Sequence, residues 1–200
     1  MKSLFTSLTL ALSLGASSAS FSAPAKMVPG NYTIDPAHTR VEFVIPHLVI
    51  SKVEGRFNDV AGTIVLAEPF TNSKFDAVVQ IKSVDTAVAK RDEHLRTPDF
   101  FDATKYPTMT LKTKSVSGTP ESFKLVASLT IKDVTKDVTF DGKYLGTVKD
   151  PWGNTRAAFE AKGKINRKEF HIKYDEKFDG GASVGDEVEI SLISEVTKAK

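Results

Sequence analysis

The sequence predicts an all-β protein of about eight or nine antiparallel strands with one short helical insertion. Apolar and polar residues alternate with period two through most of the chain from Tyr32 onward. Turn-forming clusters separate the alternating segments at residues 118–120, 150–154 and 179–181. No segment has the pattern of a helix that crosses between parallel strands. The alternation is compatible with one sheet wrapped around its own interior and with a two-sheet sandwich.

Each alternating segment sets an apolar face against a charged or polar face. The segments are residues 40–45, 53–57, 61–66, 76–82, 109–114, 123–132, 138–144, 156–165 and 187–192. Several small residues lie on the apolar faces, namely Ala127, Gly142, Ala157, Ala161 and Gly163. Small inward residues either leave room for a cavity or admit bulky side chains from the opposite wall, and the alternation does not choose between these interpretations.

The first 25 residues have the layout of a secretory signal peptide. Lys2 supplies a positive charge, residues 4–14 are mostly apolar, and small residues follow up to Ala25. The apolar run is much shorter than the roughly 20 residues of a membrane-spanning helix. We therefore expect removal of residues 1–25 and export of a single domain, residues 26–200, to the periplasm.

The composition restricts the function. The chain contains no Cys, which excludes disulfides, thiolate metal ligands and a Cys nucleophile. About 175 residues are enough for one hydrophobic core and make two domains unfavourable. The formal net charge is only +2, and the charges are interspersed. A basic face for nucleic acid is therefore not predicted.

One helical segment interrupts the strands at residues 83–96. Asp85 or Thr86 is predicted to cap its start, and Arg96 falls in its last turn. Thr97 and Pro98 then have the pattern of a second helix start. Since two adjacent Phe residues, 100 and 101, follow, we expect this insertion to plug or line one end of the sheet.

Catalytic motifs are absent from the sequence. The histidines, His38, His47, His94 and His171, lack the spacing of a zinc site, and no nucleophile elbow, phosphate-binding loop or dinucleotide fingerprint occurs. Asp92 and His94 are two positions apart, so a helix would point them in different directions. We predict no cofactor, no metal and no enzymatic activity; a hydrolase that uses His94 and Asp92 is kept as an alternative.

Several ordered segments resemble the YceI family. They are YTIDPAHT at 32–39, HLVISKVEGRF at 47–57, VDT at 84–86 with KRDEHLRTPDFFD at 90–102, LTIKDVTK at 129–136, NRKEF at 166–170 and VGDEV at 184–188. The resemblance extends from Asn31 to Val196. It implies a lipocalin-like antiparallel barrel with an elongated apolar interior that binds polyisoprenoids or similar long-chain lipids in the periplasm. His171 stands where the family usually has Gly, so the pocket would be narrower if that position lies on it.

The inward faces and the helical insertion supply the candidate site residues. We predict that the lipid contacts Phe43, Ile45, Phe57, Leu95, Phe100, Phe101, Met109, Leu111, Leu129, Ile131, Phe140, Phe159, Phe170, Ile190 and Leu192. Arg91 and His94, three positions apart, are candidates for a phosphate or other polar headgroup. The alternatives are ordinary core packing for the apolar residues, and a structural ion pair or helix cap for Arg91 and Asp92.

The expected function is non-catalytic binding, with transport or storage, of a long-chain apolar lipid such as a polyisoprenoid or isoprenoid quinone. The expected partners are this lipid, a second copy in a homodimer, and a membrane contacted transiently for lipid exchange. The alternative function belongs to a different class: a filled barrel that serves as a protein-interaction domain, in which an exposed aromatic side chain such as Trp152 contacts a partner.

Overall fold

The computed structural model describes residues 26–200, so the predicted signal peptide lies outside the described residues. The strands are β1 (Gly30–Ile34), β2 (Arg40–His47), β3 (Ser51–Phe57), β4 (Val60–Leu66), β5 (Lys74–Gln80), β6 (Val84–Asp85), β7 (Thr108–Thr119), β8 (Ser122–Ile131), β9 (Val134–Lys149), β10 (Thr155–Asn166), β11 (Lys177–Phe178), β12 (Gly181–Ala182) and β13 (Glu187–Lys198). A single α-helix within this part of the chain, α1, spans Ala89–Arg96.

Eight strands close into an antiparallel barrel in the order β1-β4-β5-β7-β8-β9-β10-β13. Closure depends on β13, whose C-terminal residues pair with β1, for example Val196 with Ile34. The N-terminal half of the same edge of β13 pairs instead with β2, which continues into β3 and β6. The fold is therefore the predicted antiparallel barrel and not a sandwich of two sheets.

Glycines opposite phenylalanines shape the interior. Phe123 pairs across strands with Gly142, and Phe140 pairs with Gly163. A Cβ at Gly142 or Gly163 would lie within 3 Å of the opposing ring. These inward glycines therefore accommodate aromatic rings from the adjacent strand, a role that neither of the two sequence interpretations described.

The structure corrects the predicted helical segment. Helix α1 begins at Ala89 and not near Ser83, and neither Asp85 nor Thr86 caps it; Val88 occupies the cap position without a side-chain hydrogen bond. The second helix start at Thr97 is also wrong. Thr97 ends α1, because its N–H and hydroxyl donate to the carbonyl of His94, and turns follow.

The two ends of the barrel differ. At the end that we call the rim end, α1 and residues 97–106 lie beside the β2–β3 hairpin, the β8–β9 turn and the loop before β13. At the opposite end, which we call the base, the turn between β9 and β10 meets β1 and the C-terminal part of β13. Over residues 26–200, no helix is long and apolar enough to cross a membrane.

Candidate functional site: an apolar cavity inside the barrel

An apolar cavity of about 380 Å³ occupies the interior between β2, β13 and the facing strands. Ligand pockets in proteins commonly measure about 300–1,000 Å³. The predicted residues that line it are Phe43, Ile45, Phe57, Leu95, Phe100, Phe101, Met109, Leu111, Leu129, Ile131, Phe140, Phe159, Ile190 and Leu192. The structure thus brings these side chains to one surface, while their contact with a ligand stays a prediction.

Burial differs between the two sides of the cavity. On β8 to β10 the wall is made of fully buried side chains such as Phe140 and Phe159. On β2 and β13 the inward residues Phe43, Ile190 and Leu192 are only half-buried. Inward-facing apolar side chains stay partly accessible when the space before them is unfilled by protein, so the open volume lies along the β2–β13 wall.

Phe170 is a correction to the predicted lining. It is fully buried but lies in a 3-10 turn, Arg167–Phe170, and does not border the cavity. Residues that sequence patterns missed do border it, among them Ile172, Tyr174 and Val184. These three lie in irregular segments without period-two alternation, so no local pattern identified them.

Helix α1 and residues 97–106 cover the rim end of the cavity, and we call them the lid. Phe100 stacks near Tyr174 with ring centres 4.7 Å apart, and Phe101 meets Phe57 edge-on at 5.6 Å. The Lys132 ammonium group donates to the carbonyl of Phe100 at 2.9 Å. The lid therefore contacts the barrel through both aromatic packing and a hydrogen bond to the backbone.

Polar contacts hold α1 in place, since Leu95 is its only large apolar residue. The buried Asp92 carboxylate accepts hydrogen bonds from the N–H and the hydroxyl of Thr86, at 2.8 and 2.6 Å. Arg91 donates to the Thr86 hydroxyl and carbonyl, both at 2.8 Å. Arg91 thus borders the cavity and also holds α1 through Thr86, although by hydrogen bonds and not by the ion pair or helix cap of the alternative assignment.

His94 borders the cavity at the lid and pairs with Asp99, at 2.9 Å. Its ring also meets Phe100 and Tyr174 edge-on, with centres 5.0 and 5.3 Å away. Asp92 is engaged with Thr86 instead. The two residues of the alternative hydrolase site are therefore bonded to different partners and do not form a catalytic pair.

Arg167 organises the loops of the rim. Its buried guanidinium donates to the carbonyls of Gly185, Ile172 and Tyr174, at 2.7 to 2.9 Å, and it lies 3.3 Å from Asp186. Burial lowers the pKa of Arg167 from its usual value. One buried side chain thereby connects the segment after β10 to the segment before β13, both of which border the cavity.

His171 lies outside the cavity wall. Its side chain is exposed and faces Asp133 at 3.0 Å. Its backbone has φ of 58°, the left-handed conformation that favours glycine. The conformation explains why Gly suits this position, and the exposed ring removes the expectation that His171 narrows the pocket.

A charged cluster lies at the base, away from the cavity. Arg156 donates to Asp35 at 2.7 Å, to Asp150 at 2.9 Å and to Glu195. These hydrogen bonds lower the pKa of Asp150 to about 2 and also lower the pKa of Asp35. His38 joins Asp35 and Glu195 in a group with metal-ligand spacing. Arg156 already neutralises both carboxylates, so the cluster has a structural role.

Fold and cavity together define a class: small antiparallel β-barrels with an internal apolar cavity of ligand size. Residues 32–196 match the YceI-like domain. Protein YceI of Shigella flexneri is 42% identical over 151 residues, which cover 74% of this chain and 79% of that protein. The chain belongs to the YceI family.

Solved structures agree with this assignment. The crystal structure of the Campylobacter jejuni YceI protein superimposes with a TM-score of 0.67 at 31% identity, covering 78% of this chain and 91% of that one. A polyisoprenoid binding domain from Saccharophagus degradans, implicated in plant cell wall breakdown, gives a TM-score of 0.63 at 14% identity. The match covers 84% of this chain and 98% of that one. At that identity, the second comparison shows the shared fold.

Proposed function

We propose that the protein binds one long-chain apolar lipid, of the polyisoprenoid type, inside the barrel and carries or stores it without chemical change. The observation that carries the proposal is the cavity of about 380 Å³, whose walls are mainly aliphatic and aromatic. Such a surface offers few polar contacts, so an apolar ligand is favoured over a polar one.

The energetics favour a long chain over a short one. Each buried methylene contributes about 0.8 kcal/mol, so about ten carbons contribute roughly 8 kcal/mol. Association costs several kcal/mol in lost translational and rotational freedom. A short apolar molecule cannot offset that cost, and the cavity therefore selects for length.

The headgroup of the lipid would lie at the lid. Arg91 and His94 border the cavity there, and Arg91 is held by Thr86 in a fixed orientation. A guanidinium in a fixed position suits phosphate oxygens, so a polyprenyl phosphate fits this arrangement. The relative from Saccharophagus degradans, which is a polyisoprenoid binding domain, supports the choice of lipid class.

A binding role is favoured over catalysis. His94 and Asp92 point to different partners, and the cavity wall between β2 and β13 is apolar. The N-terminal layout of the sequence supports a periplasmic location for this activity, after the expected removal of residues 1–25. In that compartment, the lipid would move between membranes or be held in reserve.

Solvent extraction of the purified protein tests the proposal. Extraction followed by mass spectrometry is expected to release about one equivalent of long-chain isoprenoid lipid per protein. A protein that yields no lipid and takes up no added polyprenol would contradict the proposal, and the interaction-protein alternative would replace it.

A matched pair of substitutions on β7 tests the location of the lipid. Leu111 borders the cavity, whereas the adjacent Lys112 points to solvent. Leu111→Trp would fill part of the cavity and is expected to reduce bound lipid about tenfold or more, because it displaces several carbons of the chain. Lys112→Trp adds the same side chain outside the barrel and is expected to leave the lipid content unchanged.

A further inference from the structure

We propose that the tip of the β2–β3 hairpin and the adjacent β11–β12 hairpin insert into the apolar layer of a lipid bilayer, beside the rim of the cavity. This inference rests on the proposed function, because it supplies the route by which the lipid enters. We call residues 48–50 together with Phe178 the docking tip.

The docking tip exposes large apolar side chains. Val49 is 77% exposed, Ile50 89% and Phe178 40%. Isolated exposed apolar residues are common on protein surfaces, but here Val49 and Ile50 are consecutive, and Phe178 lies on the hairpin that hydrogen-bonds beside them. An apolar group of this kind is stabilised when it leaves water.

The backbone conformation at the docking tip disfavours large apolar side chains. Leu48 and Val49 have φ of 50° and 64°, the left-handed region that turns normally fill with Asn, Asp or Gly. A β-branched residue such as Val49 is rare there, because its side chain crowds the neighbouring backbone in that conformation. The turn would be more stable with polar residues, so its apolar side chains need an explanation outside the turn itself.

Hydrogen bonds connect the tip to the cavity rim. The N–H of Leu48 donates to the carbonyl of Ser183, and the N–H of Gly185 donates to the carbonyl of Pro46, both at 2.9 Å. His47 and Ser183, which flank these contacts, border the cavity. Insertion of the tip would therefore bring the rim against the bilayer surface.

The charges favour apolar insertion over electrostatic attraction. No acidic residue occurs from Pro46 to Val53, but the second hairpin carries Glu176 and Asp179 as well as Lys177. Without a cationic patch, binding would not depend on anionic lipid or on low salt. A second copy is a poorer occupant, because the few exposed side chains offer much less than the roughly 800 Å² per partner of a standard stable interface.

Fluorescence of a single Trp placed at the tip tests insertion directly. The chain has one Trp, Trp152, which is 80% exposed at the base. In a Trp152→Phe background, the fluorescence emission of the Ile50→Trp variant is expected to shift to the blue on addition of phosphatidylcholine vesicles. Brominated phosphatidylcholine should quench this emission. Both effects should persist in 0.5 M NaCl, where the Debye length is roughly twofold shorter than in 0.1 M salt.

Val148→Trp in the same background is the control, because Val148 is 63% exposed but lies on β9 near the base. Its emission should not change with vesicles. The inference is overturned if Ile50→Trp shows no shift, or if both variants respond equally. A third outcome also overturns it: light scattering shows that the unmodified protein is a dimer, the double variant Val49→Ser/Ile50→Ser is a monomer, and the unmodified protein does not bind vesicles.

Lipid transfer separates this inference from the proposed function. Val49→Ser/Ile50→Ser is expected to load polyprenol presented in detergent micelles normally but to extract it from vesicles about tenfold more slowly. Unchanged extraction would contradict the docking tip while leaving the cavity proposal intact. If the unmodified protein loads no polyprenol from either source, the proposed function fails, whereas the fluorescence experiment still decides docking.

Discussion

Like Leu48 and Val49 at the docking tip, Lys132 and His171 near the rim hold left-handed backbone conformations without being glycine. Lys132 has φ of 56° in the turn between β8 and β9, and His171 has φ of 58° after the 3-10 turn. The Lys132 ammonium group also donates to the carbonyl of His171 at 3.2 Å. Both turns are therefore held by local contacts that offset backbone strain, and neither side chain enters the cavity wall.

Substitutions at His171 should change stability without changing lipid content. His171→Val places a β-branched residue in the left-handed region and is expected to be less stable than His171→Gly by about 1–2 kcal/mol. Chemical denaturation measures that difference. Extraction and mass spectrometry should find the same lipid content in both variants, because position 171 is outside the cavity; lipid loss in His171→Gly would contradict this placement.

At the scale of elements, the lid differs from the barrel in what holds it. The strands share ladders of backbone hydrogen bonds and bury large apolar side chains. Helix α1 depends on the contacts of Asp92 and Arg91 with Thr86, and on donation from Arg96 to the carbonyls of Lys82 and Val84. A few polar contacts open more readily than a sheet, so the lid is the element whose motion would admit a lipid.

Asp92→Ala should therefore loosen the lid. It leaves the buried N–H and hydroxyl of Thr86 without their acceptor, at a cost of about 1–3 kcal/mol. We expect lower thermal stability, faster hydrogen exchange in residues 86–101 and faster release of bound lipid. Glu93→Ala, on the exposed side of the same helix, is the control; equal effects in both variants would argue against a specific role for Asp92.

At the scale of the whole molecule, barrel closure is reinforced at the base. Arg156 on β10 joins Asp35 after β1, Asp150 after β9 and Glu195 on β13. Asp35 and Glu195 are 121 and 39 positions from Arg156 in the sequence, so this cluster joins distant parts of the chain. Hydrogen bonding to Arg156 holds the pKa of Asp150 at about 2, so the folded state keeps this carboxylate charged in acid where the unfolded chain would protonate it.

The expected consequence is an acid-sensitive barrel. The contribution of Asp150 is complete above its unfolded pKa of about 4 and is lost as pH falls toward about 2. Arg156→Met should lower the melting temperature by several degrees at neutral pH and flatten the dependence of stability on pH in this acid window. Lys143→Met breaks the exposed pair with Glu160 and should change little. An unchanged acid profile in Arg156→Met would refute this account.

The sequence by itself determined most of the long strands, their inward faces and part of the cavity wall. Residues such as Phe43, Met109 and Leu192 were identifiable because side-chain direction along a strand depends only on local alternation. The sequence did not locate α1 correctly, because its residues are mostly polar and show no apolar periodicity. The contacts that hold α1 come from Thr86 and the strand before it.

Only the tertiary structure decided which strands close the barrel and how much of its interior stays open. The three partners of β13, the pairing of Phe123 with Gly142, and the contacts of Arg167 and Arg156 join residues distant in the chain. Alternation reports which face is apolar, whereas a cavity depends on the distance between opposite walls. That distance is set by the number and register of paired strands, which no local pattern encodes.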